Sequence, residues 1–280
     1  MKIFHLDTSR SVDSTVTGME CFAVEPVNVG ETLDICPTCK RSIGPLRWQS
    51  PFRVELVVYG KSYGDIVDAS GRDWLISDRL RELIDTHRIS GLEGFEPVEI
   101  ARIVSKNRIA QSLGDPPQYF RVSPQLGSAA IDQIASEFVR EPPEFCQSCR
   151  LGSGIIKRWK RIVFEPSTWT GEDVFIARGL PGSCFTSERF RDMCLTNNVT
   201  NAVFTIADKY WHDFYPWENQ ERAREVLAMP NGPTIRDKHT LDGDFVRYIE
   251  SRNECVIRRK DGTVELFYPF EGPDYFEGIA

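Results

Sequence analysis

The chain has 280 residues, 41% apolar and 27% charged, the mixture of an ordinary folded protein with one large domain or two modest ones. Its net charge of −7 disfavours broad binding to phosphate backbones. No run reaches the roughly 20 apolar residues of a membrane helix, and the opening MKIFHLDTSRSVD lacks the apolar core of a secretory signal; a cytoplasmic protein is expected.

Taken in chain order, MKIFHL reads as a first strand and FRVELVVYG, Phe52 to Gly60, as another. SDRLRELIDTHRISG, from Ser77, has a helical pattern with the serine as N-cap. GFEPVEIARIV begins as a strand, and DPPQYFRVSP is a turn-rich bridge. SAAIDQIASEFVRE places Ile131, Ile134, Ala135 and Phe138 at helical spacing after Ser128 and predicts a helix. Further on, SERFRDMCLTNNVTN predicts a second Ser-capped helix, NQERAREVLAM a third, and NECVIRRKDGTVELFYPF a hairpin with Cys255 on its first strand.

Two of these segments match. Cys36-Pro-Thr-Cys39 and Cys146-Gln-Ser-Cys149 lie 110 positions apart, and the same offset carries SDRLRELIDTHRISG onto SERFRDMCLTNNVTN. Ser77 meets Ser187, Arg79 meets Arg189 and Leu80 meets Phe190. Asp65-Ile66-Val67 resembles Asp173-Val174-Phe175 at an offset of 108, so the spacing shifts locally. This is an internal repeat. The shared Ser-acid-Arg string reads as capping and helix surface, since no His or Lys base recurs beside the serine. Cys194 replaces Ile84 and Cys184 replaces Trp74, which predicts two buried apolar thiols.

Two CxxC pairs in a chain without a secretory signal point first to metal. Cys36, Cys39, Cys146 and Cys149 supply the four thiolates of one tetrahedral zinc site, expected to be structural because no coordination position stays open. The 106 residues between the pairs are no obstacle if the repeats meet about a pseudo-twofold axis. Two zincs would need further ligands, and Cys21, His5 and His87 have no characteristic spacing. A redox role and a partly degenerate site stay open as alternatives.

Two other constellations stand out. Arg150, Lys157, Arg158, Lys160 and Arg161 surround Trp159, a basic patch that is either a strand with charged outward positions or a grip on single-stranded nucleic acid. Tyr210, Trp211, Phe214, Tyr215 and Trp217 crowd one segment, as core or as a partner surface. His212 among them is a candidate base with no evident partner, and no convergent catalytic set is legible; no enzyme is expected.

The layout of Cys36, Cys39, Cys146 and Cys149 with SDRLRELIDTHRISGLEGF and DVFIARG…SERF resembles the double-CXXCG motif proteins of myxobacteria. That family is regarded as immunity proteins. The resemblance implies zinc bound by the four cysteines, neutralisation of a cognate protein toxin by direct binding, and no catalysis. It covers roughly residues 1 to 208, and it departs at Lys40 and Arg150, where the family motif has glycine. The expected fold is α+β: two tandem duplicated α+β modules, residues 1–125 and 126–208, joined by one shared structural Zn2+, with a helix-plus-hairpin extension over 209–280. The alternative function is a zinc-ribbon nucleic-acid-binding protein.

Overall fold

Ser77 and Ser187 begin the same local structure. Each has extended backbone, and each hydroxyl accepts the N–H three residues on, from Leu80 and from Phe190. The caps start the helices Asp78–His87 and Glu188–Thr196. Both helices turn one stripe inward: Leu80 and Ile84 on the first, Phe190, Met193 and Cys194 on the second.

The computed structural model describes residues 2–8, 17–30, 34–44, 46–69, 71–106, 113–152 and 154–268. The last part of the expected extension, 269–280, lies outside the described residues, as do Pro269 and Phe270 of the expected hairpin. The chain forms two compact units, Met1–Ile155 with Trp159–Trp211, and Ile156–Arg158 with His212–Ala280.

The fold class is a correction. The described residues form twenty-one short strands and only three α-helices, so the chain is mostly β, arranged in several small sheets. Tandem α+β modules are not what forms. One sheet of the first unit runs in the order Leu126–Ala130, Val174–Arg178, Cys184–Ser187, Ile3–Asp7, Val203–Ile206. Another runs Ile66–Asp68, Trp74–Ser77, Tyr119–Pro124, Leu92–Pro97. The N-terminal strand thus pairs among strands that follow the second CxxC. Conversely, the strand from Tyr119, which precedes that CxxC, pairs among strands of the first half. The registers correspond: Ile3 faces Ser187 as Tyr119 faces Ser77, and Leu6 faces Cys184 as Val122 faces Trp74. Arg191 lies over the Phe4 ring and Arg81 over Phe120, each at 4.2 Å.

Tyr119–Pro124 precedes the second CxxC as Ile3–Asp7 precedes the first, so when it is counted with the second half the two halves exchange a strand, and the core records it. Leu6 and Val122, Ile66 and Val174, Leu80 and Phe190, Ile84 and Cys194, Trp74 and Cys184 all belong to one buried cluster. Side chains alternate across the four-stranded sheet. Its other face sends Val67, Leu75 and Tyr119 into a second core with Val54, Leu56 and Val58 of the strand Arg53–Val58.

The helix expected after Ser128 does not form. Leu126–Ala130 is a strand, and the Asp132 side chain then accepts the N–H groups of Ile134 and Ala135, closing a turn in place of a helix. Glu137 has φ 54°, and Ile134 is 87% exposed, so the apparent apolar period was not a buried face.

In the second unit, the expected third helix spans Gln220–Ala228 and buries Ala223 and Val226. It packs with an antiparallel sheet in the order Ile235–His239, Phe245–Ile249, Glu254–Arg258, Val264–Phe267. Only the last two strands were expected as a hairpin. Cys255 lies fully buried on the third.

Candidate metal centre

Each CxxC is the tip of a tight loop built the same way. Cys36 N–H donates to the Arg41 carbonyl and Lys40 N–H to the Cys36 carbonyl, at 2.8 and 2.9 Å. In the second loop Cys146 N–H donates to Leu151 and Arg150 N–H to Cys146, both at 2.8 Å. Single bridges, Ile35 to Ser42 and Phe145 to Gly152, close the two loops at equivalent places. The turn forces left-handed backbone one residue past each pair: Lys40 has φ 61° and Arg150 φ 62°. That is the conformation glycine adopts without cost.

The loops bring like to like. The sulfur of Cys36 lies 3.9 Å from that of Cys146, and Cys39 lies 3.7 Å from Cys149. All four sulfurs lie within 4.8 Å of one another. Four thiolates held about 2.3 Å from one tetrahedral ion stand roughly 3.8 Å apart, and the two like-to-like separations match that spacing. All four are free thiols, Cys36 and Cys149 buried, Cys39 and Cys146 half-buried. The four cysteines could hold a metal ion.

The electrostatics match at the first cysteine of each loop. Backbone N–H groups, chiefly that of Cys39 with that of Thr38, face the Cys36 sulfur and draw its pKa down to about 6. The N–H groups of Cys149 and Ser148 lower Cys146 in the same way. Burial pushes the Cys149 thiol up to about 12.

A second reciprocal network ties the halves together. Asp65 is buried and accepts five hydrogen bonds: Ser77 Oγ at 2.7 Å, Arg79 Nε and Nη2 at 3.2 and 2.5 Å, and Thr200 N and Oγ1 at 2.8 Å each. Its counterpart Asp173 accepts Ser187 Oγ at 2.8 Å, Arg189 Nη1 at 3.1 Å, and Ser90 N and Oγ at 3.0 Å each. Thr200 and Ser90 stand 110 residues apart. Each aspartate thus binds the cap and arginine that follow it in its own half, and a hydroxyl residue from the other half. The serine and arginine of the repeated string serve this network, and the serine also caps its helix.

The other singled-out residues lie elsewhere. His5 stacks on Tyr210 with centroids 3.7 Å apart, His87 ends a helix, and Cys21 lies on the strand Met19–Ala23. Cys184 and Cys194 are core thiols; burial raises both, Cys194 to about 12. In the basic patch Trp159 is buried at the end of the strand Ile155–Trp159. Arg150 pairs with Glu165, and Lys160 and Arg161 pair with Glu137 at 3.1 Å each. Among the aromatics, Trp211, Phe214 and Trp217 are exposed by 40%, 48% and 53%, too much for core residues. His212 packs edge-on against Phe214, with burial lowering its pKa. The Asp65–Asp173 contacts were missed as a network; the offset of 108 at both aspartates was the available signal.

No family model and no curated protein matches the chain. No helix among the described residues is long and apolar enough to cross a membrane.

Proposed function

We propose that this chain is a zinc-stabilised binding protein, acting as an immunity protein that neutralises a cognate toxin by direct contact. The four-sulfur cluster of Cys36, Cys39, Cys146 and Cys149 carries the reading. Zinc suits an all-thiolate tetrahedral set, and when bound it supplies a structural cross-link, because four thiolates leave no position for a catalytic water. Cys36 and Cys39 hold it from one half and Cys146 and Cys149 from the other. The immunity role rests on the resemblance to the double-CXXCG proteins. The left-handed backbone at Lys40 and Arg150 supports it, since the loop keeps the geometry that the motif's glycine serves. Exposed Trp211, Phe214 and Trp217 supply the residue types that anchor protein interfaces. The ion pairs of Arg150, Lys160 and Arg161 weigh against a phosphate-gripping patch.

The test is co-expression with the toxin encoded beside its gene. Protection of the cell and a co-purifying complex are expected. Failure of both overturns the immunity reading, while metal analysis of the purified chain tests the zinc separately, at one ion per four-cysteine cluster.

A further inference from the structure

The second CxxC loop has a feature that the first lacks. Arg140 stands six residues before Cys146; at the same place before Cys36 the chain has Gly30. Arg140 is only 9% exposed, and its Nε and Nη2 are buried without a hydrogen-bond partner. Its Nη1 has only a long contact, 3.4 Å, to the Gly154 carbonyl. The guanidinium lies under the loop itself: a Cβ on Gly152 would come within 2.9 Å of Arg140 Cδ and Nη1, and Gly152 bridges to Phe145 beside Cys146. Beside the first loop, at Gly44, the nearby guanidinium is that of Arg72, and it is paired with Asp34. A buried cation that is neither paired nor fully hydrogen-bonded is costly, so it calls for a compensating negative charge nearby. Thiolates gathered around a metal would supply such a charge, and the contact at Gly152 puts the guanidinium beside the loop that carries Cys146 and Cys149. Four thiolates outweigh one divalent ion, so the loaded centre carries surplus negative charge within a low-dielectric surrounding.

We propose that Arg140 is the buried counter-charge of the metal centre, a positioning residue that favours the loaded cluster over the metal-free one. The inference rests on the metal reading above. Groups around a metal site tune its affinity by about 10–100-fold when altered. Arg140→Met keeps the length of the stem and removes the charge; Arg140→Lys keeps the charge and removes the planar fork.

The experiment measures zinc affinity of the full chain by competition with a chromogenic chelator, alongside unfolding midpoints of metal-free and zinc-loaded protein. Arg140→Met is expected to weaken zinc binding about tenfold or more. It is also expected to raise the metal-free midpoint, because an uncompensated buried charge is gone. Arg140→Lys is expected to stay within about threefold of the parent affinity. A purely structural arginine predicts a different pattern: equal losses of midpoint in both forms with affinity unchanged, which overturns the proposal. Equal weakening by Met and Lys also overturns it, since shape and not charge would then matter. If the parent chain itself binds no zinc, the metal reading fails instead. Should Arg140→Met not fold, the Lys variant still decides: affinity lost with the charge retained refutes the inference.

Discussion

Replacing Asp65 by asparagine probes the join between the halves with almost no change of shape. The carboxylate takes five donors on two oxygens. An asparagine side chain offers one acceptor oxygen and one NH2. If the NH2 takes the Oδ1 place, it meets Ser77 Oγ and Arg79 Nε; at Oδ2 it meets Arg79 Nη2 and the Thr200 N–H and hydroxyl. Hydroxyls can rotate, although both already accept a backbone N–H, from Leu80 and from Asp65. Arg79 and the Thr200 amide cannot. A charge-assisted bond from Arg79 is lost in either case, and the Thr200 amide bond as well when the NH2 takes the Oδ2 place, each worth about 1–3 kcal/mol. Arg79 is half exposed and regains water, so its share is discounted. The expected cost is about 3 kcal/mol, or roughly 6–12 °C in unfolding midpoint for a unit of this size.

Burial alone would raise the Asp65 pKa, but Arg79, the Thr200 amide and Ser77 outweigh it and hold the carboxyl below the usual range. A depressed folded pKa contributes stability that is present above the unfolded value, about 3.9, and is lost as pH falls through the folded one. The gap between parent and Asp65→Asn should therefore be full at pH 7 and shrink as pH drops below about 4. Denaturant unfolding of the two proteins over that range gives the gap directly. A gap under about 1 kcal/mol at pH 7, or one that stays constant on acidification, refutes the reasoning.

Three further outcomes follow. Chelation should lower the unfolding midpoint of the zinc-loaded protein by about 10 °C or more, because the ion closes a loop of some 100 residues, worth about 5 kcal/mol by the cross-link argument; calorimetry with and without chelator checks this. Lys40→Gly should be neutral or stabilising by up to about 1 kcal/mol, since φ 61° strains any residue with a Cβ, whereas Lys40→Val should cost more; denaturant midpoints separate the two. Cys194→Ala should cost about 1–2 kcal/mol through a small cavity and leave metal stoichiometry unchanged, so a loss of bound zinc in that variant would return Cys194 to the ligand set.

Local chemistry made much of this legible. Ser77 and Ser187 cap helices because a serine before an apolar-periodic run has one strong use, and the stripes beneath them followed from spacing. The cysteine offset located the cluster, because two thiolate pairs with shared surroundings have few other reasons to exist. The segment after Ser128 misled because its apolar period was accidental; Asp132 and the left-handed Glu137 turn the chain there, and Ile134 faces water. The strands Ile235–His239 and Phe245–Ile249 went unseen because residues such as Asp237, Lys238 and Arg247 break the apolar alternation. Arg247 is buried, paired with Asp237 at 2.7 Å. Strand exchange lay beyond sequence pattern altogether. Ile3 and Tyr119 hold equivalent positions at an offset of 116, not 110, and little but Phe4 and Phe120 agrees.

That exchange changes what a metal bound by the four cysteines would do. In tandem modules a shared ion would be the main link between two self-sufficient folds. Here the halves already interpenetrate. Cutting the chain between them would strip the strand from Ile3 out of one sheet and the strand from Tyr119 out of another, leaving open edges and two half-filled cores. Asp65 would lose Thr200, and Asp173 would lose Ser90, each leaving a buried carboxylate short of donors. The cysteines sit at the same join, Cys36 against Cys146 and Cys39 against Cys149. A metal bound by the four cysteines would therefore join the same two halves that the aspartates and the exchanged strands join. An ion bound there stabilises the very arrangement that assembles its own four ligands, which couples metal affinity to folding of the whole first unit.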